Sequence, residues 1–202
     1  MDYKNLAIEQ NIWQAGYRFL AGIDEVGRGP LAGPVFACAV IFDPTFYHAD
    51  VRDSKQLVKG KRESLAEILR NKALDCGIGH ASVTEIDEIN IRQATFKAMH
   101  RALAALTVSP DYLLIDGENL PDAPCPSQGI IRGDVDSFTI SAASIIAKVA
   151  RDKYMQKLDQ VYPVYKFAKN KGYGTAEHID ALHTKGPSPY HRKTFLTKIL
   201  AD

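Results

Sequence analysis

The chain has 202 residues, of which 46% are hydrophobic and 24% are charged, and its formal net charge is +1. This length and apolar content suffice for a full hydrophobic core, and we expect one compact unit. The net charge hides an asymmetry, because residues 148–202 carry 11 Lys and Arg against 5 Asp and Glu, whereas residues 1–147 carry 14 against 19. A basic C-terminal region is compatible with a surface for a nucleic acid backbone, although a solvated helical face explains clustered lysines almost as well.

The cysteines and the apolar runs exclude several classes of protein. Cys38, Cys76 and Cys125 are widely spaced, odd in number and without a Cys-x-x-Cys pair, so we expect neither disulfides nor a zinc site. No apolar stretch reaches about 18 residues, and no basic segment leads into a long apolar one at the N-terminus. We therefore expect a soluble, cytoplasmic protein with no membrane partner.

The first predicted strand covers residues 19–25 and leads into a glycine-rich segment, Gly22-Ile-Asp-Glu-Val-Gly-Arg-Gly-Pro-Leu-Ala-Gly33. Adjacent side chains of a strand point to opposite faces, so Asp24 and Glu25 can serve one site only where the strand ends and the backbone turns. Gly27 and Gly29 supply such a turn and let backbone N–H groups approach a phosphate, while Arg28 adds a positive charge. The arrangement favours metal-assisted phosphodiester chemistry.

Two other interpretations of this segment remain open. An Asp-Glu pair followed by glycines is also typical of a solvated turn. A phosphate-cradling nucleotide loop is disfavoured, because Gly-Lys-Ser/Thr is missing and the dinucleotide fingerprint is not matched. The choice depends on whether further carboxylates follow strands or precede helices along the chain.

The middle of the chain predicts alternating strands and helices. The apolar run 34–42 and residues 76–83 are predicted strands, and residues 60–72 form a candidate amphipathic helix. A clearer helix is expected to begin at Thr84, with Asp87 three positions later as its capping acid, and to extend to about residue 107. The apolar stripe of that helix is predicted to be core.

Further acids follow at the expected places. The run Asp111-Tyr-Leu-Leu-Ile-Asp-Gly117 has the pattern of a buried strand that ends in a carboxylate, Asp116. A strand is then predicted over residues 129–132. Asp134 or Asp136 lies near the start of the next helix, where capping is the commoner role of an aspartate.

The last third of the chain is predicted to be mainly helical. The helix over residues 138–161 is rich in small residues. Its Ser141 and Ser144 could reach metal-bound water or phosphate, but hydrogen bonds within the helix are the commoner use and the one we expect. Residues 164–174 interleave basic and aromatic side chains, as a surface for a nucleic acid strand does, although half of that pattern could be packing. Thr175 is expected to cap a helix to about residue 185, followed by a break and a final helix over residues 190–200.

Taken together, these segments resemble the ribonuclease HII family of type 2 ribonucleases H. They occur in the family's order and cover nearly the whole chain. The matching segments are Gly22-Ile-Asp-Glu-Val-Gly-Arg-Gly-Pro-Leu-Ala-Gly-Pro-Val35, Asp53-Ser-Lys55, Leu114-Ile-Asp-Gly117, Gly133-Asp134, Ser141-Ala-Ala-Ser-Ile-Ile-Ala-Lys-Val-Ala-Arg-Asp152, Lys171-Gly-Tyr-Gly-Thr175 and His191-Arg-Lys-Thr-Phe195. The sister family, ribonuclease HIII, carries an additional N-terminal domain and usually has lysine in place of Arg28, so the sequence favours HII.

The resemblance implies an α/β ribonuclease H-like fold, in which helices flank a central mixed five-stranded sheet and a helical extension follows. Residues 1–162 would form the catalytic core, and residues 163–202 a basic helical region of the same compact unit.

The resemblance also implies the site residues. Four carboxylates would bind metal and act in catalysis, with Asp134 favoured over Asp136 because the family's aspartate follows a glycine seven residues before Ser141. The four are Asp24, Glu25, Asp116 and Asp134. The substrate would be bound by Gly27, Arg28, Gly29, Tyr173 and Lys55. Gly174 follows the tyrosine where many members have proline, which puts the stiffness of that loop in question.

The chemistry of the residues agrees with these implications. Clustered carboxylates alone would repel a phosphodiester, so they must hold cations, and carboxylate oxygens suit Mg²⁺ or Mn²⁺. Lys55 and Lys148 are candidates for additional positive charge, although solvated or structural lysines are the commoner case. The 2′-hydroxyl distinguishes RNA from DNA, and the backbone of Gly27 to Gly29 can bond to it without selecting a base.

The expected activity is endonucleolytic hydrolysis of RNA in RNA–DNA hybrids and incision of duplex DNA on the 5′ side of single ribonucleotides, leaving 3′-hydroxyl and 5′-phosphate ends. No terminal Gln-x-x-hydrophobic-x-x-aromatic-aromatic peptide is visible, so no sliding-clamp partner is implied, and we expect a monomer. Two alternatives remain: a glycosidase, in which one carboxylic acid and one carboxylate suffice, and a hybrid-binding module without activity.

Overall fold

The computed structural model describes residues 5–51 and 58–200 and has a central five-stranded sheet. The strands lie in the order β3-β2-β1-β4-β5, where β1, β2 and β3 pair antiparallel and β1, β4 and β5 pair parallel. The predicted mixed five-stranded sheet is therefore confirmed. The strands are β1 (Leu20–Val26), β2 (Val35–Ile41), β3 (Asp75–Ala81), β4 (Tyr112–Asp116) and β5 (Ser127–Ile130).

Helices cover both faces of this sheet. The α-helices are α1 (Ala7–Gln14), α2 (Lys59–Lys72), α3 (Val83–Ala104), α4 (Gly133–Asp136), α5 (Phe138–Val161), α6 (Phe167–Asn170), α7 (Ala176–Lys185) and α8 (Lys193–Leu196). A short 3₁₀ turn over Pro163–Tyr165 links α5 to α6. No helix within the described ranges is long and apolar enough to cross a membrane.

The core has two layers, one on each face of the sheet. Every residue of β2 is buried, which explains its unbroken apolar run, since successive side chains serve opposite layers. Ala37 and Ala39 face the layer built with α3, whereas Cys38 and Val40 face the layer built with α2 and α5. The central strands are thus held between two helical layers.

Glycines let the two longest helices approach the sheet closely. A Cβ atom added at Gly22 of β1 would lie 2.4 Å from the backbone carbon of Thr139 in α5. One added at Gly79 of β3 would lie 2.2 Å from the backbone oxygen of Ala98 in α3. Backbone atoms cannot move aside cheaply, so helix-to-sheet spacing depends on these glycines.

A buried carboxylate fixes the start of α5. Glu9 of α1 accepts hydrogen bonds from the Ser137 hydroxyl at 2.7 Å and from the Thr139 N–H at 2.9 Å. Burial raises the pKa of Glu9, while these donors oppose the rise. Helix α1 is therefore joined by hydrogen bonds to the N-terminal end of α5.

The chain after residue 162 packs on the C-terminal half of α5. Met155 and Leu158 of that helix are buried with the rings of Tyr165 and Phe167 and with Leu182 of α7. The expected division of the chain at residue 162 stays a prediction.

Ser82, rather than Thr84, caps α3. The Ser82 hydroxyl accepts from the Glu85 N–H at 3.2 Å, and the Glu85 carboxylate accepts from the Ser82 N–H at 2.9 Å. Both Ser-x-x-Glu and Thr-x-x-Asp fit a capping pattern, so the prediction of Thr84 was wrong because β3 ends at Ala81 and the helix begins directly afterwards.

Asn90 interrupts α3 with a left-handed backbone, φ 65° and ψ 164°. Its side-chain oxygen accepts from the N–H groups of Arg92 and Gln93, so it caps a second helical segment. The single continuous helix expected from residue 84 to 107 is therefore a kinked pair.

The final helix is much shorter than the predicted range of 190–200. His191 forms a bridge with Ala32, and the Arg192 N–H donates to the Leu31 carbonyl, so both residues are extended. Helix α8 begins only at Lys193, where the Asp87 carboxylate accepts from the N–H groups of Lys193 and Thr194. Asp87 thus caps α8 and not α3.

Candidate active site

Three carboxylates meet where two parallel strands end. Asp24 and Glu25 lie near the end of β1, Asp116 is the last residue of β4, and these strands are neighbours in the sheet. Each of the three residues offers a carboxylate oxygen such that all lie within 4.8 Å of one another. Carboxylates this close repel one another strongly unless cations or protons are bound.

Both members of the Asp24-Glu25 pair contribute, although the strand continues to Val26. Pairing between β1 and β4 stops at Ile23 and Ile115, one residue before Asp24. The strand ends at Val26, one residue after Glu25, and Gly27 follows with a left-handed backbone, φ 92°. The two acids therefore lie where the strand ends and the backbone turns, as expected.

Asp134 adjoins the three acids, whereas Asp136 is exposed. The backbone N–H of Asp134 donates to the Asp116 carboxylate at 3.2 Å, and the Ser141 hydroxyl donates to the Asp134 carbonyl at 2.6 Å. A Cβ atom at Gly133 would lie 2.5 Å from Ile140, so glycine permits α4 to approach this closely. Ser141 therefore bonds outside its own helix, contrary to the prediction.

Burial and mutual repulsion raise the pKa of Asp24 and of Glu25. The pKa of Asp24 is well above its usual range, first because of burial and then because of the charges of Glu25 and Asp116. Burial also raises the pKa of Glu25, against the opposing charge of Arg28, whose Nη1 lies 3.3 Å from the Glu25 Oε1. Ser144, predicted to bond within its helix, instead donates to the Asp24 carboxylate. A divalent cation would relieve this repulsion.

The backbone carbonyls of the glycine loop are held by a buried arginine. The guanidinium of Arg192 donates to the carbonyl of Gly27 at 2.5 Å, of Arg28 at 2.7 Å and of Gly33 at 2.8 Å. In a trans peptide the N–H points opposite to the preceding C=O. The N–H groups of Arg28 and Gly29 are therefore directed away from Arg192.

A second buried arginine supports the loop from α5. Arg151 donates to the carbonyls of Ala32 at 3.0 Å, Pro34 at 3.0 Å and Lys171 at 2.9 Å. Its side chain also fills the space beside Gly27, where an added Cβ would lie 2.1 Å from its Nε. Burial lowers the pKa of Arg151 to about 10 and that of Arg192 to about 9, so both stay charged at neutral pH.

Tyr173 lies beside the acids and the glycine loop. It lines a cavity of about 220 Å³ together with Asp24, Glu25, Asp116 and Asp134. A Cβ atom at Gly29 would lie 3.8 Å from the Tyr173 ring, and 47% of Tyr173 is exposed. The aromatic face is thus available to a ligand in the cavity.

Two cationic side chains line the same cavity. Lys148 donates to the Asp152 carboxylate at 2.6 Å, and Arg62 lies 3.7 Å from the other oxygen of that carboxylate. Lys55 lies outside the described residues. In the predicted basic and aromatic stretch, the rings of Tyr165 and Phe167 are buried, so those two aromatic residues serve packing.

Several of these supporting residues had no role assigned from the sequence. Arg151, His191 and Arg192 stand within segments that resemble the family, but composition and spacing give no sign that the arginines are buried against carbonyls. The same holds for the buried His178, whose Nδ1 lies 2.8 Å from the Tyr173 carbonyl and which carried no signal in the sequence.

The sheet and the acidic cavity define a hydrolase of the ribonuclease H-like fold. The family model described as Ribonuclease HII matches residues 21–198. A ribonuclease HII of Caldicellulosiruptor saccharolyticus is 48% identical over 200 residues, covering 99% of this chain and 98% of that protein. The structure of ribonuclease H2 from Pyrococcus horikoshii OT3 matches with a TM-score of 0.74 at 28% identity, covering 89% of this chain and 96% of that one.

A ribonuclease HIII structure titled as a complex with Mn²⁺ also matches, with a TM-score of 0.71 at 17% identity, covering 94% of this chain and 71% of that one, and supports the fold. The chain belongs to the ribonuclease HII family and is a metal-dependent hydrolase that acts on RNA–DNA hybrids.

Proposed function

We propose that this ribonuclease H incises duplex DNA on the 5′ side of a single embedded ribonucleotide, as well as RNA in hybrids, and leaves 3′-hydroxyl and 5′-phosphate ends. In this proposal, Asp24, Glu25, Asp116 and Asp134 bind two Mn²⁺ or Mg²⁺ ions. The observation that carries the proposal is the position of three acids within 4.8 Å, beside a glycine loop and an exposed tyrosine.

The donor set fits divalent cations. Carboxylate oxygens are hard ligands, and bound cations would offset both the burial of the Asp24 charge and its repulsion by Glu25 and Asp116, which together raise the pKa of Asp24. When held by these four acids, two such ions would supply Lewis-acid activation of a water and stabilisation of negative charge on the leaving 3′-oxygen.

Neighbouring groups of the chain keep the acids in place. Ser144 holds the Asp24 carboxylate from α5. The N–H of Asp134, on α4, donates to the Asp116 carboxylate. The four acids therefore lie on three separate elements, β1, β4 and α4. Such fixed ligands need little rearrangement when the substrate arrives.

Recognition of ribose depends on backbone groups. The outward N–H groups of Arg28 and Gly29 can bond to a 2′-hydroxyl or a phosphate without selecting a base. Tyr173 can contact the sugar next to it, because its ring adjoins Gly29. A site that reads one sugar requires only one ribonucleotide in the duplex.

The two alternative functions make different predictions. A glycosidase needs no cation and would stay active in a chelator. A silent binding module would bind the hybrid without cutting it, although a cluster of carboxylates would weaken rather than strengthen its binding of phosphates.

A single assay separates the three possibilities. The protein is incubated with duplex DNA that contains one ribonucleotide, with Mn²⁺, with Mg²⁺ or with EDTA, and with an all-DNA duplex as the substrate control. We expect incision at the 5′ side of the ribonucleotide, loss of incision in EDTA and no cut in the control duplex. Cutting that persists in EDTA, or binding without cutting, would contradict the proposal.

The fourth ligand has a matched control in this chain. Asp134→Asn is expected to lower kcat by about 100-fold or more, whereas Asp136→Asn, two residues away and exposed, should stay within twofold of the parent protein. The opposite ranking would assign the role to Asp136.

A further inference from the structure

Two buried histidines lie in one chain of hydrogen bonds. The Nε2 atoms of His178 and His191 are 2.9 Å apart, and both side chains are almost fully buried. The Nδ1 of His191 lies 2.9 Å from the Ser188 N–H, and the Nδ1 of His178 lies 2.8 Å from the Tyr173 carbonyl. This series of hydrogen bonds thus connects Ser188, which precedes α8, to Tyr173, which lines the cavity.

The groups at the two ends determine where the protons are. The Ser188 hydroxyl, which can donate or accept, also lies 2.9 Å from the Nδ1 of His191. The Ser188 backbone N–H can only donate, so it assigns this Nδ1 as the acceptor and places the proton of His191 on Nε2. That proton is donated to the Nε2 of His178, which leaves the proton of His178 on Nδ1. This Nδ1–H then donates to the Tyr173 carbonyl, which can only accept.

The surroundings keep both rings neutral. Tyr165 meets His191 edge to face with centroids 4.7 Å apart, and Phe167 meets His178 at 5.5 Å and 89°. Burial lowers the pKa of both histidines, that of His191 to about 4. A further proton on either ring would place two donors opposite each other at one of the bonds.

The two hydrogen-bonded histidines also lie next to the arginine that holds the glycine loop. Arg192, the next residue after His191, holds the carbonyls of Gly27 and Arg28. The two substrate-facing elements, Tyr173 and the glycine loop, are therefore both tied to consecutive residues of the C-terminal region.

We propose that His178 and His191 are positioning residues that hold Tyr173 against the ribonucleotide through this one ordered set of protons. The inference rests on the proposed function for the role of Tyr173. The proton order itself concerns only the folded chain, and its test needs no activity.

The first experiment reads the tautomers directly. Long-range ¹H–¹⁵N correlation spectra of the protein at pH 6.5 should show His178 as the neutral Nδ1–H form and His191 as the neutral Nε2–H form. His178 in the Nε2–H form, or either ring charged at this pH, would overturn the proposal, whatever the protein cuts.

The second experiment asks whether the donor at His178 matters for catalysis. His178→Phe keeps a ring but loses the bond, whereas His178→Asn keeps an N–H donor near the position of Nδ1. On the single-ribonucleotide duplex we expect His178→Phe to lower kcat by about tenfold to 100-fold with KM within twofold, and His178→Asn to recover most of that loss.

The decisive comparison uses His191, the histidine that makes no hydrogen bond to Tyr173. His191→Phe, which removes no bond to Tyr173, should lower kcat as much as His178→Phe, and the double variant should be no worse than either single one. Additive losses, a rise of KM without a fall of kcat, or no recovery by His178→Asn would assign the rings a packing role only. If the parent protein incises hybrids but not single ribonucleotides, the same comparison is made on the hybrid, so that the two proposals fail separately.

Discussion

At the scale of single residues, Asp116 combines a cost to stability with the metal-binding role proposed above. It lies within 4.8 Å of oxygens of Asp24 and Glu25, where like charges repel. We expect Asp116→Asn to lower activity by about 100-fold or more and, in EDTA, to melt at the same temperature as the parent protein or higher. Thermal melts with and without Mn²⁺ would measure this, since the parent protein should gain more from the ion.

The exposed Asp180→Asn provides the control, because it makes the same chemical change far from the cluster. It should change neither the melting temperature in EDTA nor the gain from Mn²⁺. A destabilised Asp116→Asn protein in EDTA would show that repulsion at the site is already neutralised by another group.

Arg192 illustrates a role that a charge-conserving substitution cannot replace. Its guanidinium bonds to three carbonyls with a planar fork, whereas an ammonium group presents a single point of charge. We expect Arg192→Lys to lower kcat/KM on single-ribonucleotide DNA by about 100-fold, because the loop shifts relative to the acids.

Lys193→Arg is a suitable comparison, since its side chain is exposed and adjacent in sequence. Steady-state kinetics of both variants test the assignment. Near-normal kinetics of Arg192→Lys would mean that the loop holds its own shape.

The candidate acids of the site were easier to find in the sequence than the residues that hold the loop beside them. An acid at the end of an apolar run, such as Asp116, is visible in the sequence because strand and residue type coincide. Arg151 and Arg192 are not, because they donate to carbonyls of the glycine-rich segment that are more than 110 positions away in the chain. Their burial is a property of the fold alone.

At the scale of elements, substitutions at two nearby positions can test which residue caps α3. Ser82 and Glu85 form reciprocal hydrogen bonds at the start of this helix, while Thr84 lies inside it. We expect Ser82→Ala to lower the free energy of unfolding by about 1 kcal/mol and Thr84→Ala to leave it within about 0.5 kcal/mol. Urea unfolding of both variants measures the difference, and an equal loss would contradict the assignment of the cap.

Periodicity predicted the strands and the long helices well, but not all of their ends. The strand expected over residues 129–132 is Ser127–Ile130, where pairing with β4 sets the limits. The helix expected from residue 190 starts at Lys193, because the bridge of His191 to Ala32 keeps the preceding residues extended. Contacts distant in sequence determined these ends, and local patterns do not contain them.

At the scale of the whole molecule, the buried histidines make stability depend on pH. The folded pKa of His191 is about 4, below its ordinary value of 6.5, so the unfolded chain binds more protons between these values. Stability from this residue is complete above about pH 6.5 and is lost as the pH falls towards 4, by up to about 3 kcal/mol. Asp24 and Glu25, whose pKa values are raised, change in the opposite direction.

A comparison of variants separates the contribution of His191 to this pH dependence from that of the other titratable groups. Between pH 7 and pH 4, the free energy of unfolding of His191→Phe should fall less steeply than that of the parent protein, while the exposed His183→Gln should follow the parent. Urea unfolding at four pH values measures these slopes. Parallel curves for all three proteins would mean that the pKa of His191 is the same in the folded and unfolded states.

The ties between Arg192 and the glycine loop also have a consequence for how the enzyme is made. All four acids lie within the first 134 residues, but the loop beside them is held by a residue 165 positions after Gly27. Nearly the entire polypeptide would leave the ribosome before this support of the proposed ribose-binding surface could form. Truncation ahead of residue 191 should therefore yield a chain that still captures cations yet no longer tells RNA from DNA.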